Sequence, residues 1–293
     1  MSVTWSDWLP LEHTSQFTPA LLAETLDGGQ AFRWSFHADD DFWQGTFGKH
    51  LVRIRIEKSM TLRCSFPNGA ENSINALRSY LGSETNWESI LDSLPWRSDE
   101  HLATCLAGFR GLRILKQPFA ETVLCFLCSA TKQIPQIKIM CARLAAELGD
   151  EIVPGIHALP TWEQLNAASE VQLRALGLGF RAKNIKRTAE QIAEAPGLLD
   201  TIEGLPYAEA KAKLLALAGI GEKIADCALL FGAGKLEAFP VDTWIIKVLQ
   251  TRYQLHGWTP SQLAQFGRVH FGRYAGFAQQ FLFSYERLSA RKR

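Results

Sequence analysis

Long hydrophobic runs are missing from this 293-residue chain. No apolar stretch reaches the roughly 18 residues of a membrane helix, so no membrane span is expected. The opening MSVTWSDWLPLEH lacks the basic and apolar regions of a secretory signal, and a cytoplasmic protein is expected. Metal-type cysteine spacing is missing as well. Of six cysteines (64, 105, 125, 128, 141 and 227) only Cys125 and Cys128 form a C-x-x-C, and no second pair follows. That excludes a four-cysteine zinc site, and the apolar setting FAETVLCFLCSA reads as a buried helix with free thiols. Internal repeats and low-complexity segments are absent too. Net charge is only +1, but residues 1–100 carry 8 Lys+Arg against 14 Asp+Glu, whereas residues 101–293 carry 23 against 16. A basic region beside an acidic one fits a polyanion-binding domain with a neutral or acidic companion.

What is present is an ordinary globular composition, 47% hydrophobic and 21% charged. The first hundred residues read as strands. In LVRIRIEK, Val52, Ile54 and Ile56 alternate with charged residues, and TLRCSF repeats the pattern with Leu62, Cys64 and Phe66. After Pro95 the pattern becomes helical. ETVLCFLCSATKQIPQIKIMCARLAAELG gives an apolar helix, a polar break at Pro135 and a second helix ending at Gly149. Further helical windows cover 161–176, 183–195, 206–217, 222–232, 243–253, 260–272 and 277–290. Strands first and helices afterwards indicate an α+β protein, with an antiparallel sheet domain over 1–100 and a helical domain over 101–293.

Residues 214–234, LLALAGIGEKIADCALLFGAG, place two glycines between two helical runs. Gly219 and Gly221 let the backbone approach a ligand closely, and the helix beginning near Glu222 turns its free N–H groups toward the turn, a phosphate-binding arrangement. Lys223 then falls in the first helical turn, where the macrodipole disfavours an ammonium by about 0.3–1 kcal/mol. The position favours a free amine, able to form a Schiff base with a sugar carbon; a solvated lysine paired with phosphate is the plainer alternative. Nineteen residues on, Asp242 of FPVDTW precedes an amphipathic run and reads first as a helix N-cap. Beside Lys223 it also becomes a candidate catalytic carboxylate.

Hairpin, lysine and PVD together resemble the helix-hairpin-helix superfamily of DNA glycosylases, and within it the 8-oxoguanine DNA glycosylase/AP lyase family. Six segments carry the resemblance in the family's order: GGQAFRW (28–34), FRGLRILKQ (109–117), GLGFRAKNI (177–185), GIGEKIADC (219–227), PVDTW (240–244) and YAGFAQQFLF (274–283).

The resemblance implies excision of an oxidised guanine flipped out of double-stranded DNA, followed by β-elimination, by a monomer that requires no cofactor. Lys223 would attack the sugar C1′, and Asp242 would stabilise the oxocarbenium-like transition state. The Gly29 carbonyl would accept the N7–H that only the oxidised base carries, Gln279 would bond the Watson–Crick edge, and Cys227 and Phe283 would sandwich the ring. Phe180 would wedge into the vacated stack with Arg181 facing the opposite base. Gly219, Gly221 and Trp244 would lie at the DNA backbone, and the carbonyls of Leu215, Leu217 and Ile220 would hold a structural monovalent or divalent cation.

The chain departs from the family pattern in three places. In SATKQIPQI, Thr131 replaces an asparagine that fills the gap left by the flipped base, and Gln136 replaces an arginine that reads the estranged cytosine; Trp244 replaces a histidine. The family's iron–sulfur relatives need four cysteines after the catalytic region, and none follows Cys227. An alkylated-base glycosylase shares the overall plan but normally lacks the hairpin lysine. A non-enzymatic hairpin clamp on DNA makes no use of Asp242 or of GGQAFRW.

Overall fold

A computed structural model describes residues 3–11, 17–57 and 60–291. Its N-terminal part is a five-stranded antiparallel sheet in the order β1-β5-β4-β3-β2, formed by β1 (Leu9–Pro10), β2 (Trp34–His37), β3 (Phe42–Phe47), β4 (His50–Ile56) and β5 (Leu62–Ser65). Helix α1 (Pro19–Asp27), capped by Thr18, lies between β1 and β2. The alternation in β4 works as its sequence requires. Val52 and Ile54 are fully buried, while Arg53 and Arg55 face the other way. That other face is not bare, because the Arg53 guanidinium lies 3.7 Å over the Trp5 ring and that of Arg55 lies 4.2 Å over Trp8.

The first hundred residues are not all strand. Besides α1 they contain α2 (Ile74–Tyr80) and α3 (Trp87–Asp92), whose short amphipathic turns pack Leu77, Tyr80 and Ile90 into the core. Six to nine residues are too few for a helical period to stand out from neighbouring strands.

The remaining elements are α4 (Glu100–Gly108), α5 (Phe119–Cys128), α6 (Ile134–Leu148), a hairpin of β6 (Glu151–Val153) and β7 (Ile156–His157), α7 (Trp162–Ala167), α8 (Glu170–Leu173), α9 (Arg181–Glu194), α10 (Leu198–Gly204), α11 (Tyr207–Leu215), α12 (Glu222–Phe231), α13 (Thr243–Arg252), α14 (Pro260–Phe271) and α15 (Ala275–Arg291). Among the described residues no helix is long and apolar enough to cross a membrane. All six cysteines are free and buried.

One hydrophobic cluster runs from the sheet into the helices. Buried polar side chains tie the two parts at defined atoms. Gln30, fully buried, donates from Nε2 to the Arg113 carbonyl at 2.8 Å and accepts from Leu115 N at 3.0 Å, while Gln117 Nε2 donates to the Gln30 carbonyl at 2.7 Å. Arg33 donates to the carbonyls of Cys141 (3.3 Å) and His157 (2.6 Å). These bonds satisfy groups that would cost about 1–3 kcal/mol each if buried unpaired, and they fix the loop before β2 against the helical part.

Candidate active site

Helices α11 and α12 form the hairpin, and α9 holds its turn. Thr188 Oγ1 donates to the Ala218 carbonyl at 2.7 Å, Gln191 Oε1 accepts from Ala218 N at 2.8 Å, and Gln191 Nε2 donates to the Ala216 carbonyl at 3.3 Å. Gly219 turns the chain at φ +75°, and a Cβ there would lie 2.6 Å from the Asn184 side chain. Both facts require glycine. At the start of α12 no side chain caps the helix on Gly221, so the first N–H groups and the positive dipole end face outward through exposed backbone.

Lys223, on the first turn of α12, is half-buried. Its Nζ donates to Ser129 Oγ at 3.1 Å and sits 5.0 Å over the Phe126 ring, both residues belonging to the end of α5. One turn further along α12 lies Cys227, which is buried. Burial pushes the Cys227 thiol up to about 12, against the opposing charge of Lys223. This cysteine is therefore a neutral thiol with an apolar body.

Asp242 is the N-cap of α13, accepting from Ile245 N at 2.9 Å through Oδ1. Burial raises its pKa above 3.8; the Ile245 N–H and the Lys223 charge act in the opposite direction. The cap expected of Asp242 is therefore formed.

The wall opposite is assembled from distant segments. Gly29 follows α1 at φ +109°, and a Cβ on it would lie 3.1 Å from Ile134 Cδ1 and 3.7 Å from Phe283 Cε1. A Cβ would crowd Ile134 and reach ordinary contact with Phe283, so Gly29 lies close beside the Phe283 ring in a conformation that favours glycine. Gln279, one turn before Phe283 on α15, is 4% exposed and donates from Nε2 to the Pro240 carbonyl at 3.2 Å, next to the Asp242 loop. Its Oε1 is buried with no hydrogen-bond partner among the described residues. A buried ion pair, Arg287 with Glu24, joins α15 to α1 behind this wall, with the guanidinium 5.6 Å over the Phe283 ring.

Phe180 is 54% exposed at the start of α9, as a side chain free to enter a DNA stack must be. Arg181 is not placed as expected. It is 3% exposed, and its guanidinium donates to the carbonyls of Ala130 and Leu178 (3.2 Å) and to Thr131 Oγ1 (2.9 Å). A guanidinium with its fork occupied by protein oxygens holds the loop; it does not face a base. Thr131 is thereby fixed at φ +55°, a conformation β-branched residues rarely adopt. Gln136 is exposed and its Oε1 accepts from Gln133 N at 3.3 Å as part of a capping box for α6. Trp244 is half-buried, with Lys247 Nζ 5.6 Å over its ring.

Sequence reasoning missed Ser129 and Phe126, which contact the lysine, and the buried cluster behind α12. There Lys211 Nζ bonds Asp226 Oδ2 (3.0 Å) and Glu222 Oε2 (2.5 Å), while Tyr207 OH donates to Asp226 Oδ1 (2.7 Å). No local pattern marks these residues, since each is defined by partners elsewhere in the chain.

Comparison with known proteins agrees with this geometry. Residues 15–123 match the model of the 8-oxoguanine DNA glycosylase N-terminal domain, and residues 124–270 match the HhH-GPD superfamily of base excision DNA repair proteins. An N-glycosylase/DNA lyase of Arabidopsis thaliana is 32% identical over 297 residues, covering 94% of this chain and 79% of that protein. An N-glycosylase/DNA lyase of Saccharomyces cerevisiae is 29% identical, covering 80% of this chain and 68% of its own. Among solved structures, a Clostridium acetobutylicum 8-oxoguanine glycosylase/lyase in complex with double-stranded DNA containing cytosine opposite 8-oxoguanine aligns with a TM-score of 0.86 at 27% identity, covering 99% of both chains. The chain belongs to the 8-oxoguanine DNA glycosylase family of helix-hairpin-helix base-excision repair proteins.

Proposed function

We infer that this chain is a bifunctional 8-oxoguanine DNA glycosylase/AP lyase that works as a monomer on double-stranded DNA and cleaves through a lysine imine. The observation that carries the mechanism is the half-buried Lys223 amine at the start of α12, held by Ser129 over the Phe126 ring.

The flipped nucleotide presents C1′ to Nζ. As the Nζ–C1′ bond forms, the bond from C1′ to the base breaks and the base leaves with the electron pair and takes up a proton. Loss of a proton from nitrogen and opening of the sugar ring give the imine, and removal of a C2′ proton then expels the 3′ phosphate. Asp242, as a carboxylate, stabilises positive charge developing on the sugar while remaining anchored by the Ile245 N–H.

The proposed base slot lies between the Phe283 ring and Cys227, with Gly29 at its edge beside Phe283. There the Gly29 carbonyl accepts from N7–H of the oxidised base. Ordinary guanine offers an acceptor at that atom, leaving two oxygens or nitrogens facing without a proton between them. Gln279 Oε1, buried without a protein partner, is suited to the Watson–Crick edge. Phe180 supplies the wedge, and the first turn of α12, which no side chain caps at Gly221, suits a DNA phosphate. The carbonyls of Leu215, Leu217 and Ile220 are the set that the family resemblance implies for a monovalent or divalent structural cation. Six buried free thiols suit the reducing cytoplasmic compartment expected for the chain.

Borohydride capture on a duplex containing 8-oxoguanine tests the proposal. Wild-type protein yields a covalent adduct, and Lys223→Gln yields none while binding the duplex with affinity within about threefold of wild type, since one uniform contact is all it loses. An adduct formed by Lys223→Gln assigns the nucleophile to another amine.

A further inference from the structure

We propose that Ser129 is a positioning residue for the Lys223 amine, acting by an oriented hydrogen bond whose direction is fixed by the end of helix α5. The proposal rests on Lys223 being the nucleophile.

Ser129 is the C-cap of α5 and is 7% exposed. Its hydroxyl proton is committed, because Oγ donates to the Phe126 carbonyl at 2.7 Å. A hydroxyl has one proton and two lone pairs, so Ser129 can meet Lys223 only as an acceptor. The 3.1 Å contact must then be an N–H of the lysine donated to Ser129. For a neutral amine this has a specific consequence. One N–H is anchored on Ser129, and the nitrogen lone pair lies in a different tetrahedral direction and cannot be consumed by the hydroxyl. A serine whose proton were free could instead donate to that lone pair and quench the nucleophile. The Phe126 ring 5.0 Å away closes another side with an apolar face.

The anchor itself does not wander. Lys132 N donates to the Ser129 carbonyl at 3.1 Å, and the Arg181 guanidinium donates to the next carbonyl, that of Ala130. The inward turn of Arg181 thus has a use: it pins the segment on which the amine's partner sits.

Removal of the hydroxyl leaves no orphan behind. The Phe126 carbonyl still accepts from Ser129 N at 3.0 Å, so Ser129→Ala should fold. The informative substrate is a duplex carrying an abasic site, where no base needs recognition and borohydride capture reads amine geometry alone. Ser129→Ala is expected to be captured about tenfold more slowly than wild type, the loss of one oriented bond to the reacting group, with duplex affinity and melting temperature unchanged. Ser129→Thr, which keeps the hydroxyl and its bond to the Phe126 carbonyl, is expected to recover most of the rate. Capture of Ser129→Ala at the wild-type rate overturns the proposal, as does a threonine variant as slow as alanine. A loss of capture matched by equal losses in affinity and melting temperature also overturns it, since that is a merely structural role. Retained capture by Lys223→Gln sinks the nucleophile itself and is scored separately.

Discussion

Replacing Glu121 by glutamine should make the protein more stable at alkaline pH and leave it unchanged at acid pH. Glu121 lies on α5 and keeps some surface as a residue, but its carboxyl is enclosed beside a small cavity lined by Arg33, Thr46, Tyr80, Gln117 and Cys125. Burial pushes its pKa up from 4.5 to about 7, although the Gly48 N–H and the Arg33 charge favour the carboxylate. The folded state therefore binds a proton that the unfolded chain has already lost between those values. Unfolding free energy falls as pH rises through that window, so the contribution is fully present below about 4.5 and lost by about 7. At 1.36 kcal/mol per unit, complete ionisation costs about 3 kcal/mol, and glutamine, which can still accept from Gly48 N, removes the whole dependence. Urea unfolding of both proteins at several values between pH 4 and 8 reads it directly. The curves should converge near pH 4 and separate by about 3 kcal/mol at pH 8, the mutant above. Parallel curves across the range would refute the enclosed carboxyl.

Two further substitutions address the catalytic pocket. Asp242→Asn should slow single-turnover excision about 10²–10³-fold with little change in duplex affinity. Because burial raises the Asp242 pKa, the acid limb of the wild-type pH–rate profile should lie above the ordinary carboxylate range and disappear in the asparagine variant; an unaltered limb assigns it to another group. Gly29→Ala places a Cβ 3.1 Å from Ile134 at φ +109° and should cost about 1–3 kcal/mol in thermal stability and about 10² in excision rate. Wild-type excision by this variant, measured on 8-oxoguanine opposite cytosine, removes Gly29 from the base slot.

The fold and the hairpin were legible because each rests on a local signal. The period of two in LVRIRIEK and TLRCSF produced β4 and β5, and the glycine turn located α12 to within a residue. Asp242 was legible as a cap, since an aspartate after proline and before an amphipathic run is a cap whatever else it does. The short helices α2 and α3 were not, because a single turn of amphipathic sequence carries too little periodicity. Arg181 and Ser129 were misread or unseen for a different reason. The direction of an arginine depends on which carbonyls lie within its reach, here those of Ala130 and Leu178, and Ala130 is 51 residues away. Ser129 stands 94 residues from the amine it touches. In this chain the groups proposed to perform bond chemistry, Lys223 and Asp242, sit at helix starts, where sequence rules are strong. The groups that aim them sit at the end of α5 and in the loop behind it, where orientation is decided by which lone pairs are already taken. Family resemblance transfers the first set by position. The second set must be read from hydrogen-bond direction, and two enzymes with the same lysine can therefore differ in how fast that lysine reacts.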